Sequence, residues 1–287
     1  MRSMLFVPGD RPERFAKAEQ SGADAVILDL EDAVTAQRRP YARDAVVDYL
    51  QSSARTVPLW VRINPVDSHD ALPDLGRVAA ARPDGIMLPK ARDGADVQRL
   101  DHWLEALEAA HGCPIGTIRV IPLISEWAGA LLRAASFAPA PSRVLGMSWG
   151  AEDLAADLGA FSNKDANGEY EAAYATARTL CLYTAAAAGV AAIDTVDTDL
   201  RDLAGVERRS MASRRAGFTT KLLIHPAQVG PVHAAFTPSE AETTWAERVI
   251  AAFRDADGKG AVSLDGKLLD RPHVRLAERI LASSKPG

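Results

Sequence analysis

Along the chain, short apolar runs alternate with longer stretches in which apolar positions recur every three or four residues. The runs are Ser3–Pro8, Ala25–Glu31, Leu59–Asn64, Gly85–Lys90, Val120–Glu126, Val144–Gly150, Ala191–Val196 and Lys221–His225. Most are continuous in Val, Ile, Leu and Met, as in parallel strands buried on both faces. The segments between them, among them Pro12–Ser21, Arg39–Ser52, Asp96–His111 and Glu169–Ala188, carry the 3.6-residue spacing and alanine content of outer helices. Eight such runs alternating with helices predict an α/β fold, a (β/α)8 TIM barrel, with an open doubly wound sheet as the alternative.

From Thr237 the pattern changes. Pro238-Ser239-Glu240 opens a capped helix, Asp257-Gly258-Lys259-Gly260 marks a turn, Val262–Leu269 suits a small hairpin and Pro272–Ser283 a last helix. Residues 1–236 are read as the barrel domain. Residues 237–287 are read as a C-terminal helical and hairpin extension, expected to pack on the barrel or against a neighbouring subunit.

Composition narrows the function classes. A net charge of −5 over 287 residues gives no overall attraction for nucleic acid or an anionic membrane. No apolar run is long enough to span a bilayer and no signal-peptide core precedes the first strand, so a cytoplasmic protein is expected. Cys113 and Cys181 show neither CxxC spacing nor a nearby His pair, which leaves disulfide and zinc chemistry without support.

In a parallel barrel, chemistry sits at the C-terminal strand ends. There the polar residues Glu31, Arg62, Lys90, Glu126 and His225 converge. Glu126 and Asp153 follow consecutive strands and offer the oxygen ligands Mg2+ prefers, yet each also begins a helix, where acids serve as caps. Arg62 ends an apolar strand and needs a partner, either Glu31 or Asp32, or a substrate carboxylate held in a bidentate contact. The acidic segment Asp29-Leu30-Glu31-Asp32 also suits hydrogen bonds from metal-bound water. The backbone N–H groups of Gly150, Ala151 and Glu152 lie at a strand-to-helix turn, a seat for a carboxylate or an enolate oxygen. His225 suits either acid–base work or a structural hydrogen bond. Arg2, Arg11 and Arg14 suit ligand phosphates or solvated surface charge. Asp270, before Arg271-Pro272, reads as a helix cap.

Together these segments carry a resemblance. Arg2-Ser3-Met4-Leu5-Phe6-Val7-Pro8-Gly9, Ile27-Leu28-Asp29-Leu30-Glu31-Asp32-Ala33-Val34, Val61-Arg62-Ile63-Asn64, Pro122-Leu123-Ile124-Ser125-Glu126 and Gly150-Ala151-Glu152-Asp153-Leu154 occur in order. Ala192-Ile193-Asp194-Thr195-Val196, Lys221-Leu222-Leu223-Ile224-His225-Pro226 and Asp265-Gly266-Lys267-Leu268-Leu269-Asp270 follow. From Arg2 to about Leu281 the chain resembles the citrate lyase β-subunit family, within the HpcH/HpaI aldolase group of metal-dependent carbon–carbon lyases.

The resemblance implies that Glu126 and Asp153 ligate Mg2+, and that Arg62 with the Gly150–Glu152 backbone holds a 2-oxo acid. It implies a thioester of coenzyme A or an acyl carrier protein, entering beside Phe6, Pro8, Arg11, His225 and Pro226. It also implies a homotrimer or hexamer in which Asp270 acts from a neighbouring protomer. The expected reaction is retro-Claisen cleavage of a citryl, malyl or citramalyl thioester, with a malyl-CoA-type thioesterase or a non-catalytic accessory subunit as alternatives. Two departures bear on the substrate. Trp127 follows Glu126 where relatives have a small residue, and Trp149 is large for the Gly146–Gly150 turn, so a ring facing the pocket would reshape its oxo-acid side. No basic residue directly follows Leu158-Gly159, and the Ser162–Gly168 loop is expected to cover the pocket.

Overall fold

The computed structural model describes residues 1–52, 54–256 and 260–284. Its main sheet has eight parallel strands: β1 (Ser3–Pro8), β2 (Ala25–Asp29), β3 (Leu59–Arg62), β4 (Gly85–Leu88), β5 (Arg119–Pro122), β6 (Gly146–Ser148), β7 (Ala191–Asp194) and β8 (Thr220–Leu223). They are hydrogen-bonded in the order β5-β4-β3-β2-β1-β8-β7-β6. The two ends of this order meet through single parallel bridges, Val120 to Val144 and Leu123 to Ser148. At this junction the N–H groups of Val120, Leu145 and Ile124 donate to the carbonyls of Arg143, Val120 and Ser148 at 3.0, 2.9 and 2.9 Å. The sheet therefore closes into the expected barrel, and the open-sheet alternative falls.

Alternate residues of the strands fill the barrel. Met4, Ile27, Trp60, Met87, Ile121, Ile193 and Leu222 form one buried cluster, the layered packing a barrel interior requires. Trp60 fits only because β4 begins with Gly85, where a Cβ would lie 2.2 Å from the indole ring.

Several strands end earlier than their apolar runs. β2 stops at Asp29, β3 at Arg62, β4 at Leu88, β5 at Pro122 and β6 at Ser148. Leu30, Ile63, Leu123 and Ile124 beyond these strand ends are still buried. Apolarity reports burial rather than ladder pairing, so Glu31, Lys90, Glu126 and Gly150 stand in the first residues of the βα loops.

The outer layer comprises α1 (Phe15–Glu19), α2 (Arg39–Ser52), α3 (Ala71–Val78), α4 (Gly94–Ala110), α5 (Ala128–Leu131), α6 (Ala151–Leu158), α7 (Ala172–Ala187) and α8 (Leu203–Ala216); α9 (Val229–Phe236) follows β8. The segment predicted as one helix over Pro12–Ser21 divides into a 3-10 turn, Pro12–Arg14, and α1. No helix among the described residues is long and apolar enough to cross a membrane.

The chain divides into two compact units, Met1–Val232 and His233–Gly287. In the second, Ser239 caps α10 (Glu240–Asp255) in a reciprocal capping box with Glu242. Strands β9 (Ala261–Leu264) and β10 (Lys267–Asp270) pair antiparallel around Asp265-Gly266. Both turn residues have positive φ, 50° and 74°, as a tight hairpin turn requires. Helix α11 (Arg271–Ser284) completes a small core of Ala246, Val249, Leu269 and Ala277. Residues 257–259 of the predicted turn at 257–260 lie outside the described residues.

Candidate active site

Parallel pairing sets Asp29 and Arg62 side by side, because they are register partners at the ends of β2 and β3. Arg62 donates from Nε and Nη2 to the two Asp29 oxygens at 2.7 and 2.6 Å. Asp29 also accepts the N–H groups of Glu31 and Ala33, so its carboxylate is held from both sides. The Arg62 guanidinium lies 4.8 Å over the Phe6 ring, and its Nη1 is 3.2 Å from Glu31 Oε2. These acids hold the Arg62 proton more tightly than usual, against the cost of burial. The principal partner is therefore Asp29, with Glu31 second, whereas Asp32 turns to Lys90.

Lys90 follows β4 in the left-handed region, with φ 51°. That conformation points its N–H at Glu126 Oε2 while its ammonium reaches Glu31, Asp32 and Asp153. The Asp32 oxygens lie 2.9 and 3.1 Å away and Asp153 Oδ1 lies at 3.2 Å. Lys90 thus ties together the segments that follow β2, β4, β5 and β6, a role the sequence pattern did not assign.

Glu126 is 2% exposed, and among the described residues no side-chain cation bonds it. Burial, with Asp153 and Glu31 nearby, pushes its carboxyl up to about 8. Burial likewise raises Glu31 to about 7, although Arg62 and Lys90 oppose the rise. Glu31 Oε2 is buried and makes no hydrogen bond. Five carboxylates, from Asp29, Glu31, Asp32, Glu126 and Asp153, face two cations, Arg62 and Lys90. Such a surplus of hard oxygen donors suits a small divalent cation, which Mg2+ sites typically hold with one or two carboxylates plus water and substrate. Among the described residues no three His, Cys, Asp or Glu side chains group as a metal site; Glu126 and Asp153 are the carboxylate pair that could hold such an ion, with water and substrate completing its shell.

Gly150 is the N-cap of α6 and Asp153 stands in its first turn. The Gly150 N–H donates to Ser125 Oγ at 3.3 Å, so this donor is occupied; Ala151 and Glu152, at the first turn, have N–H groups without an intrahelical acceptor. The Glu152 side chain accepts from Asn163 at 2.9 Å.

The other predicted residues are placed as follows. Phe6 and Pro8 end β1, which lies between β2 and β8, so they neighbour the Ile224-His225-Pro226 turn. His225 is exposed, and its Nδ1 accepts the Ala227 N–H in a cap of the following 3-10 turn. Arg11 is exposed, 3.8 Å from Asp10. Asp270 is exposed at the end of β10 and lies 2.7 Å from His273 Nδ1.

The two tryptophans leave the site in different directions. Trp149 is fully buried, donating from Nε1 to Asp194 at 2.7 Å and meeting the Tyr170 edge. Trp127 is 37% exposed and carries the Arg92 guanidinium 4.7 Å over its ring. Within the Ser162–Gly168 loop, Lys164 bonds Asp197 at 3.0 Å.

Lys90 was placed at the rim and Asp29 in the acidic segment after β2, but neither was given its partner, and Ser125 was missing from the predicted set. The Asp29–Arg62 pairing follows from strand register, and the Lys90 contacts from its left-handed backbone. Ser125 gave no signal beyond its place before Glu126.

Comparison with known proteins identifies the family. A profile of the HpcH/HpaI aldolase/citrate lyase family matches residues 2–226. The chain is 38% identical over 277 residues to the citrate lyase subunit beta-like protein of Mycobacterium tuberculosis, covering 96% of this chain and 93% of that one. It is 35% identical over 293 residues to a (3S)-malyl-CoA thioesterase of Cereibacter sphaeroides, covering 99% and 94%. The crystal structure of CitE from Mycobacterium tuberculosis in complex with magnesium, acetoacetate and coenzyme A superposes with a TM-score of 0.82 at 36% identity, over 99% of this chain and 97% of that one. With its closed barrel and its acidic and arginine-bearing strand ends, this chain belongs to the HpcH/HpaI aldolase/citrate lyase family.

Proposed function

We propose that the protein is a Mg2+-dependent carbon–carbon lyase. Its substrate is a 3-hydroxyacyl thioester of the citryl, malyl or citramalyl type, cleaved to an acyl thioester and a 2-oxo acid. The observation that carries this reading is the pairing of Glu126 and Asp153 at adjacent strand ends, beside an Arg62 locked by Asp29. Glu126 and Asp153 would hold the ion, which supplies Lewis-acid stabilisation of negative charge at the oxygen that becomes the oxo group.

The chain's own residues divide the remaining work. Arg62 uses its Nε–Nη2 edge for Asp29 and, beside its Nη1 contact with Glu31, has N–H donors left to bind the carboxylate of the oxo acid. Ala151 and Glu152 N–H groups face developing negative charge. Glu31 and Asp32 hold Lys90 and orient water. As the C2–C3 bond breaks, its electron pair passes to the thioester enolate while the 3-hydroxyl gives its proton to the water that Glu31 and Asp32 orient. Asp270, from a neighbouring protomer of a trimer or hexamer, delivers a proton to C2 of the enolate. The coenzyme A moiety, or a carrier-protein arm, enters beside Phe6, Pro8, Arg11, His225 and Pro226. A cytoplasmic location accords with this chemistry.

The deciding experiment incubates purified protein and Mg2+ with malyl-, citramalyl- and citryl-CoA and follows free 2-oxo acid and free thiol separately. Oxo acid with an intact acyl-CoA product is the expected result. Free thiol without oxo acid would establish the thioesterase reading, which the Cereibacter sphaeroides match favours. Activity restored only by added partner subunits would mark an accessory role. Asp153→Ala should lower Mg2+-dependent turnover at least about a thousandfold with the circular dichroism spectrum unchanged; wild-type rates in that variant under chelation would sink the metal assignment.

A further inference from the structure

Lys90 is related to both candidate metal ligands, through its backbone N–H to Glu126 and its ammonium to Asp153. Its left-handed conformation, φ 51°, is one that a residue with a Cβ adopts only at a steric cost. Such a conformation persists where surrounding contacts over-determine it. Here the contacts are the four carboxylates of Glu31, Asp32, Glu126 and Asp153. The Lys90 side chain is only 24% exposed, and its ammonium sits among three of them.

Resting on the Mg2+ reading above, we propose that Lys90 is the resident cation of the metal-free site. Its ammonium neutralises Asp153 until a divalent ion takes that carboxylate over, while Glu31 and Asp32 retain the displaced lysine.

Two consequences follow from charge alone. A monovalent cation offers Asp153 no more charge than the ammonium already supplies, so Na+ and K+ gain little by displacing it, whereas Mg2+ gains a full additional charge. Lys90 therefore acts as a specificity residue that lowers absolute metal affinity and keeps monovalent ions out. Because Asp32 holds the ammonium at 2.9 and 3.1 Å independently of Asp153, release of Asp153 does not leave the lysine without an anion.

The test is Mg2+ titration by calorimetry of wild-type protein, Lys90→Met and Lys90→Arg, at low and high K+. Lys90→Met should bind Mg2+ at least about tenfold more tightly than wild type at low K+. High K+ should weaken that binding far more in Lys90→Met than in wild type. Lys90→Arg, which keeps the charge, should stay near wild type. Without metal, Lys90→Met should melt at lower temperature, and Mg2+ should raise its Tm by more than it raises the wild-type value. Equal or weaker Mg2+ binding by a folded Lys90→Met overturns the proposal while leaving the metal reading intact. No Mg2+ uptake by wild-type protein overturns both. Should Lys90→Met not fold, NMR of 13C-lysine-labelled wild type decides: the Lys90 Cε resonance must move on Mg2+ addition, and an unmoved resonance rejects displacement.

Discussion

Arg62 shows why a charged residue can end a buried strand. Both Asp29 oxygens accept its Nε–Nη2 edge, and Asp29 is itself fixed by two backbone N–H groups. The guanidinium therefore arrives at the pocket already oriented, and a substrate carboxylate need not order it. Lysine retains the charge but lacks the planar fork. Arg62→Lys should therefore lower kcat/KM at least about a hundredfold, with most of the loss in kcat if orientation matters more in the transition state than in ground-state binding. Steady-state kinetics with the lyase substrate measures it, and an unchanged kcat/KM would refute the role. Glu126, Asp153 and Arg62 were legible in the sequence because each interrupts or follows an apolar run. The choice of Asp29 over Glu31 or Asp32 was not, because spacing along one strand does not say which acid faces the next strand; register does. The orientation of Lys90 was hidden for a related reason, since nothing in its side-chain type signals a left-handed backbone.

At the scale of elements, the β6–α6 turn is where geometry is least tolerant. A Cβ at Gly150 would lie 2.7 Å from Glu126 Cγ and 3.0 Å from Glu126 Oε1. The glycine lets α6 begin against the carboxylate that follows β5, and this close approach sets the distance between Glu126 and Asp153. Gly150→Ala should push Glu126 aside and weaken Mg2+ binding about tenfold or more by calorimetry, with little change in Tm; unaltered affinity would show that the turn has slack. Trp149 belongs to the same turn. Its sequence neighbour Gly150 faces Glu126, while the indole turns the other way to Asp194, so its bulk serves packing between β6 and β7. Asp194 shows how well that packing is supplied with charge. Burial works to raise its carboxyl, but Lys221 and Arg178 prevail and hold it near 2. The pattern of apolar runs located these elements but overran their ends, because the first loop residues above a barrel are as buried as the strands beneath them.

For the molecule as a whole, the eightfold alternation made the barrel readable, since a parallel strand hidden on both faces has no polar phase to confuse with a loop. The capped helix and the hairpin of the second unit were readable from Pro238-Ser239-Glu240 and from the Val262–Leu269 pattern. Strand pairing strength was not readable, and it is uneven. Neighbours such as β1 and β2 share five register pairs, whereas β5 and β6 meet through two single bridges. Glu126 follows β5 and Asp153 follows β6, one on each bank of that sparse junction. An ion gripped by both would work as a clasp on the barrel wall, so that loading the site and fastening the wall become a single event. At a metal concentration ten times Kd, hydrogen exchange at the Val120, Ile124 and Leu145 amides should slow about tenfold, provided the clasp must open for the wall to part, while the amides between β1 and β2 stay unchanged. Equal slowing throughout the barrel would mean that the ion stabilises the fold globally, and no slowing at these three amides would mean that the wall opens without it. An ion held by Glu126 and Asp153 would then fasten the loosest stave of the barrel in the same act that readies the pocket for substrate.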